Sequence, residues 1–433
     1  MAPEHWLASK RIVISGAGIS GLSFTLALHT LWQSVSSSPP PSLTLYERDP
    51  SAVPTGREGY SLSLRSDRPS AGIQALQKLG LLDKLLEVCV TSLGGPDSKK
   101  SKEEGQGGFI VWDKNFKRKL KMRSKTPKGC PVAGMRIHRS ALRKTLAEAV
   151  SALPGVEIKW NTPITGAHNS ASGAVEVELK DGGTTTCDLL IAADGSSSKI
   201  RTLLRPRDRL QFAGPTCIFG TTSITMHPSP SPAHTKEFGT VISGKGPALF
   251  IAPIDQENIV WSLSFYEDDP SMPKKQPLTH EECNAILAEA KQKGKVFGLK
   301  FEEMVDGTEE RSVAKFNARD KEGFTHSMHY IQEAKFKGLE GMVVFLGDAN
   351  HAVSPFAGNG ANLALMDGWD FAESLVREGA LEGAIKRYDK LAIRRAKQIV
   401  QLSHFNIRVM HSEGLRLRLY MMLLRIVKLL FFL

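Results

Sequence analysis

Arg11 to Trp32 reads RIVISGAGISGLSFTLALHTLW, and this stretch decides the fold. Arg11–Ser15 is a short β-branched run of the kind that forms a strand buried on both faces of a parallel sheet. Gly16-Ala17-Gly18-Ile19-Ser20-Gly21 follows without a gap, and Leu22–Trp32 has the apolar spacing of a helix. Strand, G-x-G-x-x-G and helix in that order are the context a dinucleotide turn requires. Gly16 allows the tight turn, Gly18 lets backbone approach a pyrophosphate, and Gly21 lets helix and strand pack closely. The helix N-terminus, with Ile19 and Ser20 in its first turn, offers N–H groups and a positive dipole end to phosphates.

Working outward, Leu43–Tyr46 is a second strand ending in Glu47-Arg48. An acid there suits a ribose diol. Glu47 lies 26 residues after Gly21, against a usual spacing of about 20. The low-complexity loop Ser34–Ser42 (SVSSSPPPS) accounts for the excess. The motif alone leaves NAD and FAD open.

Two further segments narrow the choice. Asp188–Arg201 (DLLIAADGSSSKIR) runs from an apolar strand into Asp194-Gly195, a serine-rich turn and a basic helix start. Gly341–Asp370 (GMVVFLGDANHAVSPFAGNGANLALMDGWD) carries a strand, Met342–Leu346, ending in Gly347-Asp348. Pro355, Gly358 and Gly360 then lead into a helix near Asn362. A strand-end acid can bind a polyol hydroxyl, and a glycine-rich loop before a helix presents N–H groups to an electron-rich ligand.

Together the three segments resemble the fingerprints of single-component FAD-dependent monooxygenases, the aromatic-hydroxylase-like family with the p-hydroxybenzoate hydroxylase fold. The resemblance covers residues 10 to 400. It implies FAD as cofactor, with Gly16, Gly18, Ile19, Ser20, Gly21, Glu47 and Arg48 at its ADP half. Asp194 and Gly195 would lie beside it and beside the path of NADPH or NADH, the transient reductant. Gly347, Asp348, Pro355, Gly358, Gly360, Ala361 and Asn362 would hold the ribityl chain and the ring. Arg57 in GREGYSLSL, Arg139 in RIHRSALRKTL and the run PFAGNGAN resemble stretches of tetracycline-inactivating and secondary-metabolite monooxygenases. That places Arg57 near the flavin and Arg139 within reach of it from a helix. Asn359 stands where many relatives have Gln.

The implied chemistry is transfer of oxygen from a flavin C4a-hydroperoxide to a small organic substrate, aromatic or polycyclic, by hydroxylation or epoxidation. It asks little of side chains beyond orientation and exclusion of water. No metal site and no catalytic residue beyond the flavin is expected. Phe356 is a candidate for the substrate pocket. Phe250, Trp261 and Phe265 divide between pocket and ordinary core. His351 in GDANH and His138 beside Arg139 read as structural hydrogen-bonding groups. The W-x-W-x-I-P segment of a flavin halogenase is absent from the sequence, and the lack of a second dinucleotide motif argues against two-Rossmann flavin monooxygenases, including the Baeyer–Villiger type. A flavin oxidase or reductase of the same fold, or a flavin-binding protein without activity, stays as an alternative.

The expected fold is α/β: a Rossmann-like FAD-binding domain from 1–91, 131–206 and 335–375, an inserted β-sheet substrate domain from 92–130 and 207–334, and a helical region from 376 to 433. Residues 92–108 (SLGGPDSKKSKEEGQGG) read as a mobile polar surface loop. Phe109–Asp113, Leu120–Arg123, Leu249–Pro253 and Ile259–Tyr266 read as strands, 279–294 as a helix and 376–410 as one long helical region.

Length and composition agree with this division. The chain has 433 residues, enough for two or three domains, with 41% hydrophobic and 23% charged residues. Five scattered cysteines without a C-x-x-C pair suit a reducing compartment, and MAPEHWLASK lacks the apolar core of a secretory signal, so a cytoplasmic location is expected. The net charge of +11 is concentrated: residues 386–433 hold eleven Lys/Arg and two acids, leaving +2 for the remainder. That is a poor pattern for a nucleic-acid partner.

In the last stretch, Leu415–Leu433, fifteen of nineteen residues are apolar, interrupted by Arg416, Arg418, Arg425 and Lys428. A spanning helix needs about 20 mostly apolar residues, which argues against a transmembrane anchor. At about 100° per residue, Arg418, Arg425 and Lys428 share a face opposite Leu419, Leu423, Val427 and Leu430. Two readings stay open: a helix lying on an anionic membrane surface, or a helix packed across the two domains with its charges solvated.

Overall fold

The structure is a computed structural model. It describes residues 4–431 apart from 36–37, 54–59, 68–69, 94–108, 123–125, 224–237, 256, 269, 271–275, 328–329 and 337, and the side chains of 427–431. Arg57 and most of the polar loop expected at 92–108 therefore lie outside the described residues.

The RIVIS run is the middle strand of a five-stranded parallel sheet, ordered Val343–Phe345, Leu189–Ala192, Arg11–Ser15, Ser42–Tyr46, Val156–Lys159. Its strands are apolar throughout because both faces are covered. Ile12, Ile14, Leu43, Leu45, Leu189, Ile191 and Val344 point to one core, which also holds residues from the helices Ile19–Trp32, Arg139–Ser151 and Gly360–Arg377. Val13, Tyr46, Leu190, Ala192, Val343 and Phe345 point to the other, against a three-stranded antiparallel sheet over 164–187.

A second body of structure is a seven-stranded sheet, ordered Ala314–Asp320, Gln211–Ser223, Asn258–Tyr266, Ala248–Pro253, Phe238–Ile242, Phe109–Asp113, Arg118–Met122. Trp261, Phe265 and their neighbours pack there against the helices His280–Gly294 and Leu299–Asp306, which makes both aromatics core rather than pocket lining. Thr279 and Glu282 close a capping box at the start of the first of these helices, the signal that sets its boundary. Between the large sheets lies a three-stranded one, Ser61–Arg65, Gly134–His138, Thr91–Leu93. Thr91–Leu93 is thus strand where the sequence reading begins a loop at residue 92.

The helical region differs from expectation in phase and in breaks. The expected helix over 376–410 is divided: one helix ends at Arg377, and Leu381–Met410 begins after a three-residue break. The 30-residue helix, about 45 Å long, packs Tyr388 and Ala392 into the first core, Ile399 against Ala357 and Leu363, and Val409 against the seven-stranded sheet. Gly414, at φ +51°, then allows the turn into Gly414–Phe431. That last helix rests on Phe109, Val111, Leu120 and Ile242 through Leu417, Tyr420, Met421 and Leu424. Leu419 and Leu423, expected on its buried side, are exposed. Apolar residues occur all round this helix, so the sheet it meets, not its own periodicity, sets which face is covered.

Candidate functional site

The glycine turn is closed from three sides. Gly16 has φ +105°, and a Cβ there would meet Ala193 O at 2.6 Å and Asp194 Cα at 3.1 Å. A Cβ on Gly21 would fall 2.1 Å from Gly16 O. Both positions are fixed by backbone contact. Gly18 is different: its φ is −81°, and a Cβ would find nothing within 4 Å. Its bare face therefore opens on free space at the start of the helix, where the first N–H groups have no intrahelical partners.

Glu47, at the end of the second strand, is buried, and both its oxygens are engaged. Oε2 accepts from Ala17 N at 2.8 Å and pairs with Arg143 Nη2 at 3.1 Å; Oε1 accepts from Asp49 N at 2.9 Å. Arg143 also donates to Ala17 O (2.9 Å) and to Asp49 Oδ2 (2.7 Å). So Glu47 anchors the glycine turn as well as standing beside it, and Arg143 and Asp49 are members of this site that sequence reasoning missed. The signal was present: Arg143 follows Arg139 by one helical turn, and Asp49 follows Glu47 by two residues. Arg48 turns away, exposed, 3.9 Å from Asp49.

The Asp194-Gly195 loop and the Gly347-Asp348 loop converge on this turn. Gly347 has φ +58°, and a Cβ on it would sit 2.8 Å from Ser20 Oγ. Arg201, four residues into the basic segment, donates to Asp348 O (3.3 Å) and Ala349 O (3.0 Å) and to Ser196 O, tying one loop to the other. Asp194 Oδ2 accepts from Lys199 N at 2.7 Å, while its buried Oδ1 and the buried Oγ of Ser20 have no hydrogen-bond partner. Buried polar atoms are ordinarily satisfied. Here two unsatisfied ones border the open face of Gly18, and a polar ligand there would partner them.

Behind Gly347 lies a buried charge network. Asp367 Oδ2 accepts from Gly347 N at 3.0 Å and lies 2.5 Å from His351 Nε2; its Oδ1 accepts from Arg395 Nη2 at 2.9 Å. Arg395 also pairs with Asp370 at 2.8 Å. Burial alone would raise the Asp367 carboxyl, but His351 and then Arg395 outweigh it and hold it at about 2. Burial works the other way on His351, where Asp367 outweighs it and raises the imidazole. Asp348 has no such cluster of cations: burial pushes it up to about 6, with Asp367 adding to the rise and His351, Arg139 and Arg201 opposing it. His351 is thus a structural group as read, and Asp367, Tyr388 and Arg395 are the partners the sequence did not disclose.

The PFAGNGAN loop is held from the opposite side. Asn362 Oδ1 accepts from Arg65 N at 2.9 Å and its Nδ2 donates to Ser63 O at 2.9 Å, joining the helix start to the small sheet. A Cβ on Gly360 would find nothing within 4 Å, and Gly358 has φ +62°. Pro355, Phe356 and Ala357 form one 3₁₀ turn, and Ala361 packs on the first core. The Phe356 ring is half-buried, edge-on to His411 at 5.8 Å. Arg139 is the first residue of its helix, with its guanidinium 5.8 Å from the Tyr60 ring; His138 lies 2.8 Å from Ser140 Oγ.

Arg136, also missed from sequence, is fully buried where the small sheet meets the seven-stranded one. It donates to Ser63 Oγ (2.8 Å), Ser61 O (3.1 Å) and Pro253 O (3.4 Å), and lies 5.2 Å from the Phe238 ring and 5.8 Å from that of Phe250. Burial lowers its guanidinium to about 9.

Comparison with known proteins agrees with this site. The FAD binding domain family matches residues 11–403. A monooxygenase of Aspergillus candidus, cfoF, is 33% identical over 423 residues, covering 96% of this chain and 94% of that protein. Among solved structures, HpxO of Klebsiella pneumoniae in complex with FAD aligns with TM-score 0.67 at 18% identity, over 96% of this chain and 94% of that one. The tetracycline destructase Tet(51) aligns with TM-score 0.63 at 17% identity, over 99% and 98% of the two chains.

Proposed function

The chain belongs to the FAD binding domain family, among FAD-dependent monooxygenases, and from that premise we propose that it uses NAD(P)H and O₂ to oxygenate a small aromatic or polycyclic substrate of the secondary-metabolite kind. When bound, the flavin supplies the oxygen-activating and electron-carrying chemistry. The protein's own residues supply the rest. Gly18 and the first turn at Ile19 and Ser20 would receive the pyrophosphate. Glu47 keeps capacity on Oε1 for a ribose hydroxyl. Ser20 Oγ and Asp194 Oδ1 would gain the partners they lack, and Asp348 would meet a ribityl hydroxyl. Gly358, Gly360 and Ala361 would present backbone to the ring edge, with Arg139 adding a positive charge. The strands over 109–122 and 211–320 would cover the substrate and keep water out, with Arg136 joining that sheet to the small one.

The convergence of three separate segments on one bare glycine face, bordered by unpartnered buried oxygens, is what supports this reading. The test is oxidation of NADH and of NADPH by the yellow holoenzyme against a panel of aromatic and polyketide-like compounds under ¹⁸O₂. A substrate that speeds flavin reduction and gains one ¹⁸O atom supports a single-component monooxygenase. Dependence on a separate reductase, or NAD(P)H consumption that never yields an oxygenated product, overturns it in favour of an oxidase or reductase of the same fold.

A further inference from the structure

The helix Gly414–Phe431 covers only half of itself. Leu417, Tyr420, Met421 and Leu424 meet the seven-stranded sheet and the helix before it. Leu415, Leu419, Met422, Leu423 and Ile426 are 45–71% exposed. Their spacing of four, three, one and three residues puts them on one stripe, an arc of about 100° at the helical period. Single exposed apolar residues are ordinary, but five aligned on one helix face are not. The stripe is flanked by cations. Arg416 lies along one border and Arg418 and Arg425 along the other, all exposed. Residues 414–433 hold four Lys/Arg and no acid.

From this geometry we propose that the terminal helix docks on an anionic lipid bilayer, lying flat with its Leu/Met/Ile stripe among the acyl chains and its arginines on the phosphates. Apolar stripe, bordering cations and absence of acids are the features of an interfacial helix. Charge decides between this occupant and a second copy of the chain. Two such helices face to face would set arginine against arginine with no carboxylate on either to pair them, whereas a bilayer of acidic lipids supplies the missing anions. Among the described residues no helix is long and apolar enough to cross a membrane, so the contact is with one leaflet. The folded part of the chain fixes the orientation, because the opposite face of the same helix is already buried against it.

The probe is flotation of the full-length holoprotein with vesicles of phosphatidylcholine alone or with about one-third phosphatidylserine, at low and high salt. Two variants accompany it, Leu419→Glu/Met422→Glu and Arg416→Ser/Arg418→Ser/Arg425→Ser. All five positions are exposed, and unchanged flavin content verifies folding. The wild type should float with the acidic vesicles at low salt and release at high salt, as expected for binding through basic residues. Either variant should bind at least about tenfold more weakly. Wild-type protein that stays unbound at low salt overturns the proposal, as does a stripe variant that binds as well as wild type. A dimer in solution that Leu419→Glu/Met422→Glu splits into monomers also overturns it, by assigning the stripe to a second copy.

Discussion

The glycine turn of residues 16–21 and the loop of residues 347–362 touch at Ser20 and Gly347, yet they are held by different means. The turn is shaped by its own glycines, which permit backbone approaches of 2.1 and 2.6 Å, and by the neighbouring strand ends. The loop is held from a distance. Asp367 on the following helix and Arg395 on the next one fix Gly347 and His351, while Asn362 borrows Ser63 and Arg65 from the small sheet. Local sequence builds the first region, and the folded core builds the second. Substitutions that act on partners should damage the loop far more than any change at the open glycine damages the turn.

The largest expected effect on stability is at Asp367. Asp367→Ala would leave His351 and Arg395 buried with their shared carboxylate gone. Breaking a buried pair in this way costs about 3–5 kcal/mol. Urea unfolding of the flavin-free protein should show that loss, and a change below about 1 kcal/mol would mean the loop does not depend on its distant partner.

Next is the pH dependence of two neighbouring aspartates. Asp367, held at about 2 against an ordinary 3.8, contributes stability that is present above pH 4 and lost as pH falls toward 2. Asp348, raised to about 6, contributes in the opposite sense: its term is full below pH 4 and lost as pH rises through 6. Asp348→Asn should therefore stabilise the flavin-free protein at pH 7, by up to about 3 kcal/mol, and remove the decline between pH 4 and 6. A variant that is less stable at pH 7 would show that Asp348 is compensated as Asp367 is.

Asn362→Ala should cost less, about 1–3 kcal/mol, by leaving the N–H of Arg65 and the C=O of Ser63 unpaired. The smallest effect is expected at Gly18. Its φ is −81° and the space around it is open, so Gly18→Ala should change flavin-free stability by no more than about 0.5 kcal/mol.

How much of this was legible follows the same divide. RIVISGAGISG, with its strand, turn and helix, announces itself because every constraint lies within a dozen residues. The Gly347-Asp348 loop was found by its glycines, but Asp367 sixteen residues on and Arg395 still further could not be linked to it by any period. Arg143 and Asp49 were within reach of sequence reasoning, since each stands at a regular offset from a residue already chosen. Arg136 was not, because its surroundings come from two sheets whose meeting the sequence does not specify. The terminal helix failed for another reason: apolar residues all round it leave the covered face to be chosen by the sheet edge, and Leu419 and Leu423 came out exposed.

Gly18 also offers the most direct measurement of the central account, that residues 16–21, 194–201 and 347–362 form one flavin cradle. Wild-type and Gly18→Ala protein would be purified in parallel, their bound FAD counted by absorbance, and their flavin-free thermal unfolding compared. The account predicts matching unfolding curves with FAD occupancy lowered at least about tenfold in the variant, since the added methyl fills the pyrophosphate approach. Stoichiometric FAD in Gly18→Ala protein would contradict it.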